Sequence, residues 1–115
     1  MDRVFIEALS LKGKHGVGEH ERATEQEFLI DIAAEFDAGK AASSDRLEDT
    51  VDYGRFRAIA ASVVSGNSFF LIERLAGRIA EEVLTDKRIT KVSVTVRKPA
   101  VYEDAVPGVT IVRTR

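Results

Sequence analysis

QEFLIDIAAEF, residues Gln26–Phe36, is the clearest structural signal in this chain of 115 residues. From Phe28 onward every second residue of the segment is apolar, namely Phe28, Ile30, Ile32, Ala34 and Phe36. A period of two places alternate side chains on opposite faces of an extended chain. The segment is therefore predicted to be a long antiparallel strand with one buried face.

Three further segments have the composition of strands. Val4–Leu11 precedes the central strand and ends at a glycine-bearing loop, Gly13–Gly18. Arg88–Lys98 alternates, with valines on one face and Ile89 among polar residues on the other, outer face. It ends at Pro99, which cannot donate to a sheet. Val109–Arg115 alternates well enough to form the last strand.

Two amphipathic helices are predicted between the second and third strands. Asp52 is a plausible N-cap for the first, which ends at Gly66. Its apolar face is formed by Phe56, Ile59, Ala60, Val63 and Val64. Asn67 or Ser68 could cap the second, which runs to Leu84. Its apolar face is formed by Ile72, Leu75, Ala76, Ile79, Ala80 and Val83.

The predicted order β-β-α-α-β-β describes an α+β fold, a four-stranded antiparallel sheet with two helices on one face. A chain of this length fits a single domain spanning residues 1–115. Two helices on one side leave the other sheet face and both sheet edges uncovered. Because uncovered edges of long strands are normally blunted or paired, we expect self-association through them.

Composition and charge exclude several classes of function. The chain has no cysteine, which rules out disulfides and thiolate chemistry. Its 17 basic and 19 acidic residues are interspersed, so no charged surface for nucleic acid or an anionic membrane is predicted. The N-terminal segment carries charges inside its apolar run and resembles neither a signal peptide nor a membrane span. We therefore expect a cytoplasmic protein.

Glu73 is an unusual carboxylate, because it lies at the shoulder of the apolar face of the second helix. Its predicted same-side neighbours are two aromatic and two very small residues, Phe69, Phe70, Ala76 and Gly77. A flat ligand could lie between them. The alternative is that Glu73 only complements the helix dipole near the first turn.

Three other residues are candidates for chemistry, each with a simpler alternative. Lys98 continues the valine face of the third strand, so it could reach a cleft or merely extend its stem toward solvent. Tyr53 begins the first helix and could carry a proton or only fill space. Glu21 would ordinarily be a solvated loop residue.

The loop before the central strand contains two further motifs of interest. His15 and His20 are five residues apart, a spacing that fits no familiar metal-binding pattern. The glycines around them resemble a phosphate loop only superficially, since no lysine–serine pair follows and a strand comes next. Neither a metal site nor a cofactor is therefore predicted.

Four motifs together resemble the dihydroneopterin aldolases of folate biosynthesis. The sequence HGV (15–17) is followed by Glu21 and Gln26, then DTVDY (49–53), LIERLAGRIAEEV (71–83) and VTVRKP (94–99). The resemblance implies the tunnelling fold, in which subunits join their sheets edge to edge into a ring. Two tetrameric rings stack into a homo-octamer in that family, which would pair the uncovered edges.

The same resemblance implies roles for individual residues. Glu73 matches the glutamate that anchors the pterin, because a carboxylate can accept hydrogen bonds from two parallel N–H donors. Lys98 and Tyr53 match catalytic residues, and Glu21 matches an active-site glutamate. The other implied substrate-binding residues are Ile72, Val51 and Val17. Tyr53 and the backbone around Val51 would come from a neighbouring subunit.

The implied reaction is a retro-aldol cleavage of 7,8-dihydroneopterin into 6-hydroxymethyl-7,8-dihydropterin and glycolaldehyde, with epimerisation at the second side-chain carbon as a related activity. Two features depart from the family pattern. The segment after Lys98 is shorter than the proline-rich loop of many members, and Asp52 replaces a histidine. An epimerase of dihydroneopterin or its triphosphate therefore remains an alternative, as does a non-catalytic ring that binds pterins or purines.

Overall fold

The computed structural model describes residues 1–115, which form four strands and four helices. The strands are β1 (Asp2–Gly13), β2 (Gln26–Phe36), β3 (Lys91–Arg97) and β4 (Gly108–Thr114). The helices are α1 (Glu19–Ala23), α2 (Gly39–Ser44), α3 (Tyr53–Ser65) and α4 (Ile72–Val83), with a 3-10 turn at Leu47–Asp49. None of the helices is long and apolar enough to cross a membrane.

The four strands form one antiparallel sheet, as predicted, and their order in it is β1-β2-β3-β4. Ile32 of β2 lies between Ile6 of β1 and Val94 of β3, which shows how the apolar positions align across the sheet. The alternation predicted for β2 is confirmed, because the five apolar residues from Phe28 to Phe36 are all buried. The valines of β3 continue the same buried face.

The two longer helices, α3 and α4, cover this apolar face. Helix α3 packs against β1, whereas α4 packs against β3 and β4. Phe56 of α3 and Leu75 and Ile79 of α4 are completely buried. Burying one such side chain stabilises the fold by about 1.5–3 kcal/mol, so the contact between helices and sheet dominates the core.

The caps of α3 lie where the sequence predicts them, but the start of α4 does not. Asp52 accepts a hydrogen bond from the N–H of Gly54 at 2.8 Å, and α3 ends before Gly66. Helix α4 begins at Ile72, so the predicted caps Asn67 and Ser68 are wrong. The cause lies at Phe69, whose backbone N–H and C=O both bond to the loop after β1 instead of to a helix.

Two other predictions differ from the structure. The residues around Glu21, predicted as a loop, form the short helix α1. Ile89 was expected on the outer face of the third strand but is completely buried. Because β3 begins only at Lys91, the alternation of the strand does not extend back to Ile89, which packs into the core from the preceding turn.

The outer face of the sheet carries polar pairs and a bulge. The register of β1 shifts between Ile6 and Leu9, where Ala8 has a φ of 55°. Asp31 of β2 holds this bulge, because it accepts hydrogen bonds from the Ala8 N–H at 2.8 Å and from Arg97 at 2.6 Å. Strands β1 and β4 each have one unpaired edge, as the sequence predicts.

Candidate active site

Glu21 and Lys98 form an ion pair, although 77 residues separate them in the chain. Lys98 follows the last residue of β3, and Glu21 lies in α1, so the sheet end and the short helix bring them together. The distance between Lys98 Nζ and Glu21 Oε2 is 2.5 Å. Only 14% of the Lys98 side chain and 21% of the Glu21 side chain are exposed.

This ion pair lies in a cavity of about 420 Å³. The remaining lining comes from α1, the following turn and the segment after Lys98, namely His20, Thr24, Glu25, Gln26, Ala100 and Val101. Six of the eight lining residues are polar or charged. A hydroxylated, uncharged ligand would find both donors and acceptors there.

Glu21 is held as a carboxylate by three donors. Besides Lys98, its oxygens accept hydrogen bonds from the Gln26 amide at 3.1 Å and the Gly18 N–H at 3.2 Å. The bond from Lys98, followed by that from Gln26, outweighs partial burial and lowers the pKa of Glu21 to about 2. Glu21 is thus ionised at neutral pH. It accepts a hydrogen bond from only one of the three N–H groups of the Lys98 ammonium.

The close approach of Glu21 to the preceding loop requires a glycine. A Cβ atom at Gly16 would lie 2.4 Å from Cδ of Glu21, a separation that real Cβ contacts do not show. Gly16 also donates its N–H to the Phe69 C=O at 2.9 Å. The glycine therefore allows the loop to pass between the carboxylate and the segment before α4.

His15 anchors the same loop and is completely buried. Its Nδ1 accepts a hydrogen bond from the Phe69 N–H at 3.0 Å, so Nε2 carries the proton and donates to the Val64 C=O at 2.7 Å. The ring also stacks on Phe69 and meets the edge of Phe28. Sequence reasoning missed this role, because both partners are backbone groups about 50 residues away and no local pattern indicates them.

Glu73 lies in the first turn of α4. Its side chain is exposed and makes no hydrogen bond within the chain. It lines a second cavity of about 350 Å³ together with Gly77, Arg74, Glu81, Leu84, Arg113 and Thr114. Gly77 is a neighbour as predicted, but Phe69 and Phe70 precede the helix and do not follow helical spacing.

The other predicted residues do not line the Glu21–Lys98 cavity. Tyr53 is 60% exposed at the first residue of α3, and Val17 is 69% exposed on the loop after β1. Ile72 is half-buried against the core. Val51 is completely enclosed in the core, so its side chain is not available to a ligand. One chain therefore unites Glu21 and Lys98 and leaves the remaining residues apart.

The acidic and histidine side chains lie too far apart to form a metal site. No group of three or more such side chains is close enough to hold a metal ion. His15, one of the two histidines considered from the sequence, has both ring nitrogens engaged by backbone groups. Its chemistry is that of a structural anchor.

Comparison with known proteins gives consistent relatives over the whole chain. The family model "FolB: Dihydroneopterin aldolase" matches residues 4–113. The dihydroneopterin aldolase of Streptomyces coelicolor is 39% identical over 120 residues, covering 100% of this chain and 99% of the relative. The crystal structure of E. coli dihydroneopterin aldolase in complex with neopterin is 38% identical, with a TM-score of 0.92 over 98% of this chain and 99% of that one.

The sheet with helices on one face is the tunnelling fold, as in these aldolase structures. Bacillus subtilis urate oxidase has the same fold at 16% identity, with a TM-score of 0.75 over 98% of this chain and 46% of its own. The chain belongs to the dihydroneopterin aldolase family, a family of carbon–carbon lyases in folate biosynthesis. The resemblance predicted from the four sequence motifs is confirmed.

Proposed function

We propose that this protein cleaves 7,8-dihydroneopterin by a retro-aldol reaction into 6-hydroxymethyl-7,8-dihydropterin and glycolaldehyde. The observation that carries the proposal is the ion pair of Lys98 and Glu21 in a polar cavity at the end of β3. Membership of the aldolase family supports it, as does the neopterin bound in the E. coli relative. We also propose that the protein is located in the cytoplasm.

The substrate itself supplies the electron sink of this reaction. Breaking the bond between the first two side-chain carbons leaves an electron pair that is conjugated to the C=N bond of the ring. The protein must then take a proton from the hydroxyl of the second carbon, stabilise the enamine and return a proton to the first carbon. These tasks need proton donors and acceptors, which matches the composition of the cavity.

The ion pair is suited to proton handling. Glu21 is a carboxylate with three donors around it, so its role is to orient Lys98 or a water molecule. Lys98 donates one N–H to Glu21 and retains two more for the substrate. We assign proton transfer to Lys98 and Tyr53.

Glu73 is proposed to anchor the pterin ring. Its carboxylate has no hydrogen-bond partner in the chain. It can accept one hydrogen bond from the amino group of a pterin and another from the ring N–H. Ile72 and Val17 would contact the ring, and Val51 would contribute its backbone, because its side chain is in the core.

The complete site is proposed to form between subunits. Tyr53 is exposed and lies outside the cavity of Lys98, so a neighbouring chain would supply it together with the Val51 backbone. Both edges of the sheet are unpaired, and each edge strand exposes an apolar side chain, Phe5 on β1 and Val112 on β4. We propose that edge pairing closes a tetrameric ring and that two rings stack into a homo-octamer.

The test is to incubate the protein with 7,8-dihydroneopterin and to measure three products: glycolaldehyde, 6-hydroxymethyl-7,8-dihydropterin and the side-chain epimer of the substrate. Release of glycolaldehyde with equal 6-hydroxymethyl-7,8-dihydropterin is the expected result. Conversion to the side-chain epimer without release of glycolaldehyde would show that the protein is an epimerase and would contradict the proposal. Binding of neopterin without any product would leave a non-catalytic pterin-binding ring. Parallel incubation with the triphosphate shows which form is preferred.

A further inference from the structure

We propose that Arg22 is a positioning residue that fixes the spacing between the two parts of the active site. One part is the Glu21–Lys98 pair and the other is Glu73 at the start of α4. The inference rests on the proposed function, because it concerns one ligand that contacts both parts. Neither the sequence motifs nor the proposed chemistry gives Arg22 a role.

Arg22 joins two segments that are remote in the chain. Its Nη1 donates hydrogen bonds to the C=O groups of Gly16 at 2.9 Å and of Val17 at 2.7 Å. Its guanidinium carbon also lies 4.5 Å from the centre of the Phe70 ring. A planar guanidinium can donate from its edge while its face stacks on an aromatic ring, which an ammonium cannot do equally well.

The position of these contacts in the sequence gives them their effect. Arg22 directly follows Glu21, and Phe70 lies three residues before Glu73. The loop between β1 and α1 is already tied to Phe69 by the Gly16 N–H and by His15. Arg22 adds the connection from α1, so Glu21 cannot move relative to the start of α4 without breaking the contacts of Arg22.

A ligand that reaches both parts reports on this spacing. A pterin ring held by Glu73 should gain affinity when it carries the neopterin side chain, because that side chain reaches the Glu21–Lys98 cavity. The gain depends on both contacts being possible at once, as for any linked pair of binding groups. Loosening the connection should remove the gain without weakening the binding of the bare ring.

The experiment measures the dissociation constants of pterin and neopterin for four variants in the assembled protein. Arg22→Ala removes all contacts, Arg22→Lys keeps a donor, and Phe70→Leu removes only the aromatic ring. Arg46→Ala is the matched control, because Arg46 is an exposed arginine that pairs with Glu48, outside the cavities described above. Thermal unfolding of each variant separates stability from positioning.

We expect the wild type to bind neopterin at least about tenfold more tightly than pterin, as one extra set of hydrogen bonds would give. In Arg22→Ala this ratio should fall to within about twofold of one while pterin affinity stays unchanged. Arg22→Lys and Phe70→Leu should give intermediate ratios, and Arg46→Ala should keep the wild-type ratio.

A wild-type ratio retained in Arg22→Ala, even with a lower unfolding temperature, would make Arg22 merely structural and overturn the inference. If Arg22→Ala does not fold, a wild-type ratio in Phe70→Leu has the same meaning. Wild-type protein that binds neither compound would contradict the proposed function itself. Wild-type protein that binds both equally would contradict only this inference.

Discussion

The Glu21–Lys98 pair and Glu73 are both charged groups of the candidate site, but the chain completes the surroundings of only one of them. Glu21 and Lys98 are mostly buried, and three donors satisfy the carboxylate. Glu73 is exposed and has no partner, and Tyr53 is likewise exposed. The difference fits the proposal that one subunit builds the Glu21–Lys98 pair by itself, whereas Glu73 is completed by a ligand and Tyr53 acts from a second chain.

The largest effect is expected from removing the amine of Lys98, because the chain completes the surroundings of the Glu21–Lys98 pair. Lys98→Ala should lower the single-turnover rate by about a hundredfold or more, because it removes a proton-transfer group. Pterin binding should be retained. Lys91→Ala is the control, since Lys91 forms an ion pair with Glu35 on the outer face of the same strand. An unchanged rate with weaker binding would make Lys98 a ligand contact.

A smaller effect is expected from removing the exposed carboxylate of Glu73. Glu73→Ala should weaken pterin binding by about 1.5–3 kcal/mol, since hydrogen bonds to a charged acceptor are lost. The fold should survive, because Glu73 makes no hydrogen bond within the chain. Glu82→Ala removes another carboxylate from α4, one that pairs with Arg78, and should leave binding unchanged. Equal affinities of wild type and Glu73→Ala would reduce Glu73 to a helix-start residue.

The smallest effect concerns stability and acid. The pKa of Glu21 falls from 4.5 to about 2 on folding, so its stabilising contribution is complete above pH 4.5 and is lost as the pH drops toward 2. Wild type should therefore exceed Glu21→Gln in free energy of unfolding by about 1–3 kcal/mol at neutral pH. The two should converge between pH 4.5 and 2. A constant difference across that range would show that the ionised pair contributes nothing.

Much of the fold follows from local patterns. The alternation from Phe28 to Phe36 predicts β2, and the Asp52 cap predicts the start of α3, because both depend on neighbouring residues. The start of α4 could not be predicted from Asn67 or Ser68. It depends on bonds from Phe69 to a loop more than 50 residues earlier, which no local pattern contains.

The site divides in the same way. Lys98 and Glu21 could be suspected individually, Lys98 from its place at the end of a valine face and Glu21 from the family resemblance. Their direct contact could not be derived, since it joins elements at opposite ends of the chain. The contacts of His15 and Arg22 were not predicted. Both residues bond to backbone groups that the sequence does not distinguish, and Arg22 also stacks on the remote Phe70 ring.

The most direct test of the two-subunit site is complementation between inactive variants. Lys98→Ala and Tyr53→Phe should each be nearly inactive when refolded separately. If neighbouring chains supply these residues, random mixing in equal amounts restores about a quarter of the sites, each pairing an intact Lys98 with an intact Tyr53. The account predicts that activity reappears in the co-refolded mixture at about that level. A mixture that contains hetero-oligomers by mass spectrometry yet stays inactive would contradict it, because both residues would then act within one chain.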